Sequence, residues 1–492
     1  MLRAYFGMSR KSGGIDQMDA SRRHLLRGAA GAFLALVGRG RAQAQAVAHL
    51  TVRYEDAGRP IASDFVGLSY ESAQLAAGDY FSADNASALG LIRALSPNGV
   101  IRIGGNTSER TVWRLEDTAA TANLVITPAK VDRLATALHL LGWKLIYGLN
   151  LARGTPQEAA AEAGYVAQAV GGNLLAFQIG NEPDGYGRWS AVRPASYDFA
   201  AFLSEWRASH AGILAHVPGA RFAGPDVAGA TDWVGFFAAA RPAGLVLLTR
   251  HYYADGPAGA PHVTLAKLLR SDGEVAPVLD ELARYGRAYH LPWRIAETNS
   301  VYDEGQPGVS DTLGAALWGL ELMFQVAAAG AGGVNFHAGV HNRRGAEDKA
   351  YTPIARAEAG RYRARPLYYG MLMFARAAAH GELVPASLSS DTSGLSAFAV
   401  RAADDGVRIC LINKNFDRAA RVRIDPGRHF RASSMMRLSG GADATTGVTL
   451  GGAQVDEFGQ WAPSAAGTVP MTSREIDIDM PAASAALLVL TP

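Results

Sequence analysis

From Val66 to Ala379 the chain repeats one alternation: a short apolar run, a polar stop, then a longer segment with apolar residues at helical spacing. The runs predict eight strands, over 66–71, 99–105, 144–151, 174–179, 221–225, 245–253, 293–296 and 333–337. The 3.6-residue pattern predicts helices over 86–95, 128–141, 155–170, 196–215, 232–240, 264–289, 310–329 and 366–379. Thr127 and Thr155 are the expected N-caps of two of them, and Gly142 the expected stop of the first. Strands that are apolar throughout are buried on both faces, as in parallel sheets. Eight such units predict a (β/α)8 TIM barrel. A doubly wound sheet is the alternative; the eight units and the lack of a G-x-G-x-x-G turn after the first strand disfavour it.

Beyond Ala379 the period changes. Runs at 394–400, 407–413, 420–424 and 485–490, set between Gly, Asp and Pro clusters, predict a C-terminal β-sandwich. Residues 49–54 alternate and predict one further strand for it. The expected layout is a leader over 1–46, that strand within 47–63, the barrel over 64–380 and the sandwich over 381–492.

Composition adds exclusions. With 492 residues, 49% hydrophobic and 19% charged, the chain has core enough for both domains. Cys410 is the single cysteine, so no intrachain disulfide forms and a buried, inert thiol is expected. The twelve histidines lack ligand spacing, and neither a metal nor another cofactor is expected. Ser21-Arg22-Arg23-His24-Leu25-Leu26-Arg27 resembles a twin-arginine export signal, followed by the apolar stretch 28–38 and the cleavage-like Ala44-Gln45-Ala46. That stretch is far shorter than the roughly 20 residues that cross a bilayer. An exported protein, periplasmic or extracellular and free of the membrane, is therefore expected. Residues 1–46 hold eight of the 47 basic and two of the 45 acidic residues, so 39 and 43 remain and the rest of the chain carries a formal −4. Nucleic acid is not an expected partner, although a local basic groove stays open.

The polar strand ends Asn106, Asn150, Glu182, Asp226, Tyr253, Glu297 and His337 gather on the C-terminal rim, where this fold does its chemistry. Glu182 and Glu297 end strands four and seven, 115 residues apart in sequence and across the barrel from each other. Cleaving a glycosidic bond takes two such carboxyl groups, one protonated and one ionised. A carbohydrate is thus the expected partner, and a catalytically dead carbohydrate-binding barrel the competing reading from another class.

The segments RIGGNTSE (102–109), YGLNL (147–151), FQIGNEPD (177–184), RPASYDFAA (193–201), HYYADGP (251–257), ETNS (297–300), GVSDT (308–312), NFH (335–337) and ARPLYYGMLMFA (364–375) run in order along the barrel. Together they resemble glycoside hydrolase family 79, the bacterial β-glucuronidases and heparanase, within the retaining (β/α)8 clan. The resemblance implies Glu182 as acid/base and Glu297 as nucleophile. It implies Asn181 on the sugar 2-hydroxyl, Tyr253 orienting the nucleophile with His251 on the same strand face, and Glu71 and Asn106 on further hydroxyls. Tyr302, the turn ending in Gly305, and Tyr351 would receive the C6 carboxylate of a uronic acid. This chain carries Asp303 and Glu304 where relatives have more glycine, so a neutral hexose or pentose remains an alternative substrate. Arg343 and Arg344 are candidates to offset that acidity.

Overall fold

The computed structural model describes residues 47–116, 124–270, 274–340, 348–389, 393–464, 467–469 and 474–492. The leader, Arg343 and Arg344 lie outside them. Eight parallel strands close a barrel in chain order: Val66–Glu71, Val100–Gly104, Lys144–Leu149, Leu174–Ile179, Phe222–Val227, Leu245–Asp255, Trp293–Val301 and Val334–His337. All but a few of their residues are buried, the result of helices outside and side chains filling the interior.

Three local expectations change. Strand seven does not stop before Glu297 but continues to Val301, because strand six extends alongside it, pairing Tyr252 with Thr298, Tyr253 with Asn299 and Asp255 with Val301. Glu297 therefore projects from the middle of a strand. Thr127 makes no side-chain cap bond, whereas Thr155 forms a full capping box with Glu158. The long helix expected over 264–289 is instead Leu265–Leu268 and Val275–Tyr289.

Two further sheets follow. A four-stranded sheet includes the N-terminal strand Val47–Val52, which lies between Ala386–Leu388 and, in parallel, Ala420–Asp425. Leu50, Val52, Val422, Ile424, Ile476 and Ile478 face Ile409, Leu411, Leu488 and Leu490 of a larger sheet across one apolar core. The alternate residues Cys410, Ile412 and Leu487 belong instead to the barrel's core. Strand Val407–Asn413 is thus sandwiched on both faces, which explains its unbroken apolar run. Phe398 stacks on Phe324 of the barrel helix Leu313–Ala328 at 4.6 Å, and Lys414 forms a buried ion pair with Glu321 of the same helix. Burial raises the Cys410 thiol well above its ordinary pKa, so it stays an unreactive thiol.

Candidate active site

The rim is organised by Arg102, a residue that no strand-end or motif argument singles out. Arg102, wholly buried on strand two, spends every arm of its guanidinium. Nη1 donates to Glu297 Oε2 at 2.5 Å and Ser69 Oγ at 3.1 Å; Nη2 donates to Asp226 Oδ2 at 2.5 Å and Asn181 Oδ1 at 2.7 Å; Nε donates to Gln178 Oε1 at 3.0 Å. One cation thereby fixes side chains from strands one, four, five and seven and from the turn after strand four.

Strand six supplies the next pair, His251 and Tyr253, which share a face because they are two residues apart. The Tyr253 hydroxyl donates to Glu297 Oε1 at 2.8 Å. His251 Nδ1 lies 2.9 Å from Glu182 Oε1, and Nε2 lies 3.1 Å from Asp226 Oδ1. Burial alone would lower the imidazole's pKa, but the charges of Asp226 and Glu297 raise it to about 10, so both nitrogens carry protons and Nδ1 donates to Glu182.

Glu182 follows strand four in the left-handed conformation, with φ 48° and ψ 51°. Such a backbone costs an L-residue about 1–2 kcal/mol, and the surrounding bonds hold it. Its N–H donates to the Asp226 carbonyl at 2.9 Å, and the Asp184 carboxylate accepts the N–H groups of Ala228, Gly229 and Ala230. Just before it, Glu109 accepts from the N–H groups of Asn181, Leu151 and Ala152 and from the Tyr186 hydroxyl.

Glu182 and Glu297 face each other with their pKa values shifted in opposite directions. Burial raises the Glu182 carboxyl and the nearby Glu297 charge adds to it, outweighing the His251 hydrogen bond. Burial would also raise Glu297, but His337, His251 and Arg102 overcome it and hold that carboxyl well below the usual range. A carboxylate oxygen from each, with a ring nitrogen of His251, lie within 4.8 Å of one another. Oxygens that close fit the roughly 5–5.5 Å carboxyl spacing of retaining glycosidases better than the roughly 6.5–9.5 Å of inverting ones. The same three residues are spaced as metal ligands could be. His251, protonated at both nitrogens, has no lone pair to give, so the set suits proton handling better than a cation.

The other side of the pocket is assembled from strands one and eight. Glu71 accepts from the Thr107 N–H at 2.8 Å and its hydroxyl at 2.6 Å, while its second oxygen lies 3.6 Å from His337 and 3.8 Å from Lys349. Burial raises Glu71, yet Lys349, His337 and Thr107 prevail and keep it ionised. Lys349, buried and 3.0 Å from His337 Nε2, was not among the expected residues; its one sequence signal is a cation standing two positions before Tyr351. Tyr351 is buried with its ring 6.3 Å from that of Tyr253, and Asn299 donates to its carbonyl at 3.3 Å. Tyr302, by contrast, is 45% exposed, its ring 6.3 Å from Tyr253 at the pocket's edge.

Asp303, Glu304 and Gly305 have φ of 69°, 74° and 80°. Three consecutive left-handed residues make the backbone of a glycine-rich turn, built here with two acidic residues in it. Asp303 is half-buried and Glu304 buried, and the Glu304 charge acts on Tyr351. Asn106 is exposed and accepts from Asn181 Nδ2 at 3.2 Å. Asn150 sits elsewhere, its side chain bonded to Arg153, Gly154 and Thr111 of its own loops.

No family model matches the chain. Among curated proteins it is 28% identical to a β-glucuronidase of Aspergillus niger over 412 residues, 73% of each chain. It is 27% identical to a β-glucuronidase of Neurospora crassa over 389 residues, 68% of this chain and 67% of that one. These alignments span the strands that carry the facing carboxylates. The chain is a family-79-like glycoside hydrolase. The fold of this glycosidase is shared with a 4-O-α-L-rhamnosyl-β-D-glucuronidase from Fusarium oxysporum, at TM-score 0.75 and 19% identity over 90% of this chain and all of that one. A family-51 arabinofuranosidase from Xanthomonas axonopodis aligns over the same shares at TM-score 0.66 and 16% identity. Among the described residues, no helix of the glycosidase is long and apolar enough to cross a membrane.

Proposed function

We propose that this glycosidase hydrolyses β-glucuronides with retention of configuration. The observation that carries the reading is the pair Glu182 and Glu297, close enough for retention and with their carboxyl pKa values pushed in opposite directions. In the first step a Glu297 oxygen bonds to the anomeric carbon, the bond to the leaving oxygen breaks, and Glu182 gives that oxygen its proton. In the second, Glu182 takes a proton from water, the water oxygen bonds to the anomeric carbon, and the ester to Glu297 breaks. Tyr253 and Arg102 hold Glu297 in line, and Asn181 meets the sugar 2-hydroxyl, a contact that strengthens in the oxocarbenium-like transition state. Glu71 and Asn106 take further hydroxyls.

For the uronate carboxylate we assign Tyr302, Tyr351 and the amides of the turn ending at Gly305, with Lys349 as the neighbouring positive charge, 5.8 Å from the centre of the Tyr351 ring. A neutral β-glucoside or β-xyloside is the second reading, and the buried Glu304 charge acting on Tyr351 is what favours it. The twin-arginine-like run further supports work outside the cytoplasm. Turnover of aryl β-glucuronide, β-glucoside and β-xyloside side by side tests the substrate. The expected result is glucuronide turnover well above the other two; activity on a neutral glycoside alone sinks the uronate assignment and leaves the carboxylate pair standing.

A further inference from the structure

The turn that carries Glu182 is fixed one peptide at a time. The Glu182 N–H donates to the Asp226 carbonyl at 2.9 Å, and the Glu182 carbonyl accepts from the Gly185 N–H at 2.9 Å. Both are ordinary backbone bonds. The peptide before them, between Gly180 and Asn181, is held differently: its N–H donates to Glu109 Oε1 at 2.6 Å. Glu109 comes from another element, the single turn Ser108–Arg110 after strand two. Its Oε1 also accepts the Tyr186 hydroxyl, from just past the Glu182 turn. Oε2 accepts the Leu151 N–H at 3.1 Å and the Ala152 N–H at 2.7 Å, both from the loop after strand three. One carboxyl, 7% exposed, thus joins the ends of three neighbouring strands at the acid/base.

Four donors on two oxygens match the acceptor sites of a carboxylate. Burial raises the Glu109 pKa, and the four bonds oppose that rise. Hydrogen bonds to a charged acceptor are roughly twice as strong as neutral ones. That strength falls where the backbone is under strain: Glu182 lies at φ 48° and Gly180 at φ 89°, one on each side of Asn181. A left-handed L-residue persists only when its surroundings over-determine it. Glu109 forms no hydrogen bond to the Glu182 side chain, so its hold on the acid passes through the backbone.

We propose that Glu109 is a positioning residue for the general acid: by holding the Asn181 N–H it aims the Glu182 carboxyl at the leaving oxygen. The inference rests on the hydrolytic reading above, in which Glu182 is the proton donor, and adds the residue that places it. A general acid contributes roughly 10²–10⁴-fold, and misplacing such a group by about 1 Å can forfeit about 10²-fold. A leaving group that is stable as an anion departs without a proton, whereas a poor one needs it. Misplacement of Glu182 is therefore felt in proportion to the basicity of the leaving group.

The test measures kcat/KM for dinitrophenyl, nitrophenyl and phenyl glycosides of the sugar the enzyme cleaves, β-glucuronides on that reading. The unaltered enzyme is set beside Glu182→Ala, Glu109→Gln and Glu109→Asp. The amide of Glu109→Gln turns an NH2 towards two of the four donors, and Glu109→Asp keeps the charge one methylene short. Rates are normalised to the share of Glu297 labelled by a deoxyfluoroglycosyl fluoride, whose fluoride leaves readily, so that unfolded protein is not counted. Glu109→Gln should lose roughly 10–10²-fold on the phenyl glycoside and about threefold or less on the dinitrophenyl one. Glu109→Asp should fall between it and the unaltered enzyme. On the dinitrophenyl glycoside kcat and KM should fall together, since the misplaced group must also take a proton from water in the second step. Equal losses on all three substrates, or no loss on any, overturn the proposal. If Glu109→Gln yields no labelled enzyme, Glu109→Asp decides by the same criterion; if neither labels, Glu109 serves folding alone and the proposal falls. Equal losses in Glu182→Ala itself would instead show that Glu182 is not the proton donor, and the hydrolytic roles would fail first.

Discussion

Two buried arginines occupy the two ends of the barrel interior, and they are held in opposite ways. Arg102 at the C-terminal rim is bound by the carboxylates of Glu297 and Asp226, whose charges raise its pKa against the pull of burial. Arg294 at the floor is bound by neutral groups: Asn335 Oδ1 at 2.5 Å and the carbonyls of Gly332, Asp64 and Phe65 at 2.9–3.0 Å. Burial there lowers its pKa to about 10. Both are almost fully removed from water. The floor arginine closes the barrel by tying strand ends together, which is a matter of stability. The rim arginine sets the charge of a reacting group, which is a matter of rate.

The sharpest way to break this contrast is at the rim's reacting groups. Glu297→Ala and Glu182→Ala should each lower kcat by roughly 10⁴-fold or more, with little change in Tm. Azide should restore turnover in both with opposite products, the α-glycosyl azide from Glu297→Ala and the β-anomer from Glu182→Ala; identical anomers, read by NMR, contradict the two roles. Arg102→Met should come next. It leaves Glu297 and Asp226 without their cation, lowering kcat by roughly 10²–10³-fold. With the cation gone, the Glu297 pKa rises from its depressed value, so the acidic limb of the pH–rate profile moves upward towards neutral pH. A profile that keeps its acidic limb would show that His251 and His337 suffice. Arg294→Met should reverse the pattern, costing about 2–4 kcal/mol of stability through carbonyls left unpaired. Thermal unfolding should register a fall of several degrees, while kcat at low temperature stays near that of the unaltered enzyme. A large loss of kcat without loss of Tm would dissolve the distinction between floor and rim.

Much of the rim was legible from the chain. Strands Val66–Glu71 and Leu174–Ile179 and helix Ala86–Leu95 fall where the hydrophobic pattern put them, because continuous apolar runs leave few options for their ends. The facing of Glu182 and Glu297 followed from strand count alone. Arg102 was visible inside RIGGN but its job was not, since its partners come from four separate stretches of sequence. Lys349 and the burial of Glu304 were hidden for the same reason: their environment is made by loops, whose course no periodicity describes. Thr298, Asn299 and Ser300 resemble a turn, so the pattern ends strand seven too early; only the neighbouring extension of strand six lets polar residues remain in a buried ladder.

The strand Val47–Val52 carries a consequence for biosynthesis. Its parallel partner begins at Ala420, so 367 residues separate Val52 from that strand. At roughly 5–20 residues per second, the ribosome needs on the order of 20–75 s to supply the partner. Until Ala386–Leu388 is made late in that interval, the first strand has no strand to pair with, while the whole barrel emerges behind it. Completion of the enzyme therefore waits on its last quarter, and a nascent chain stalled after the barrel would present an unpaired edge that a chaperone must cover.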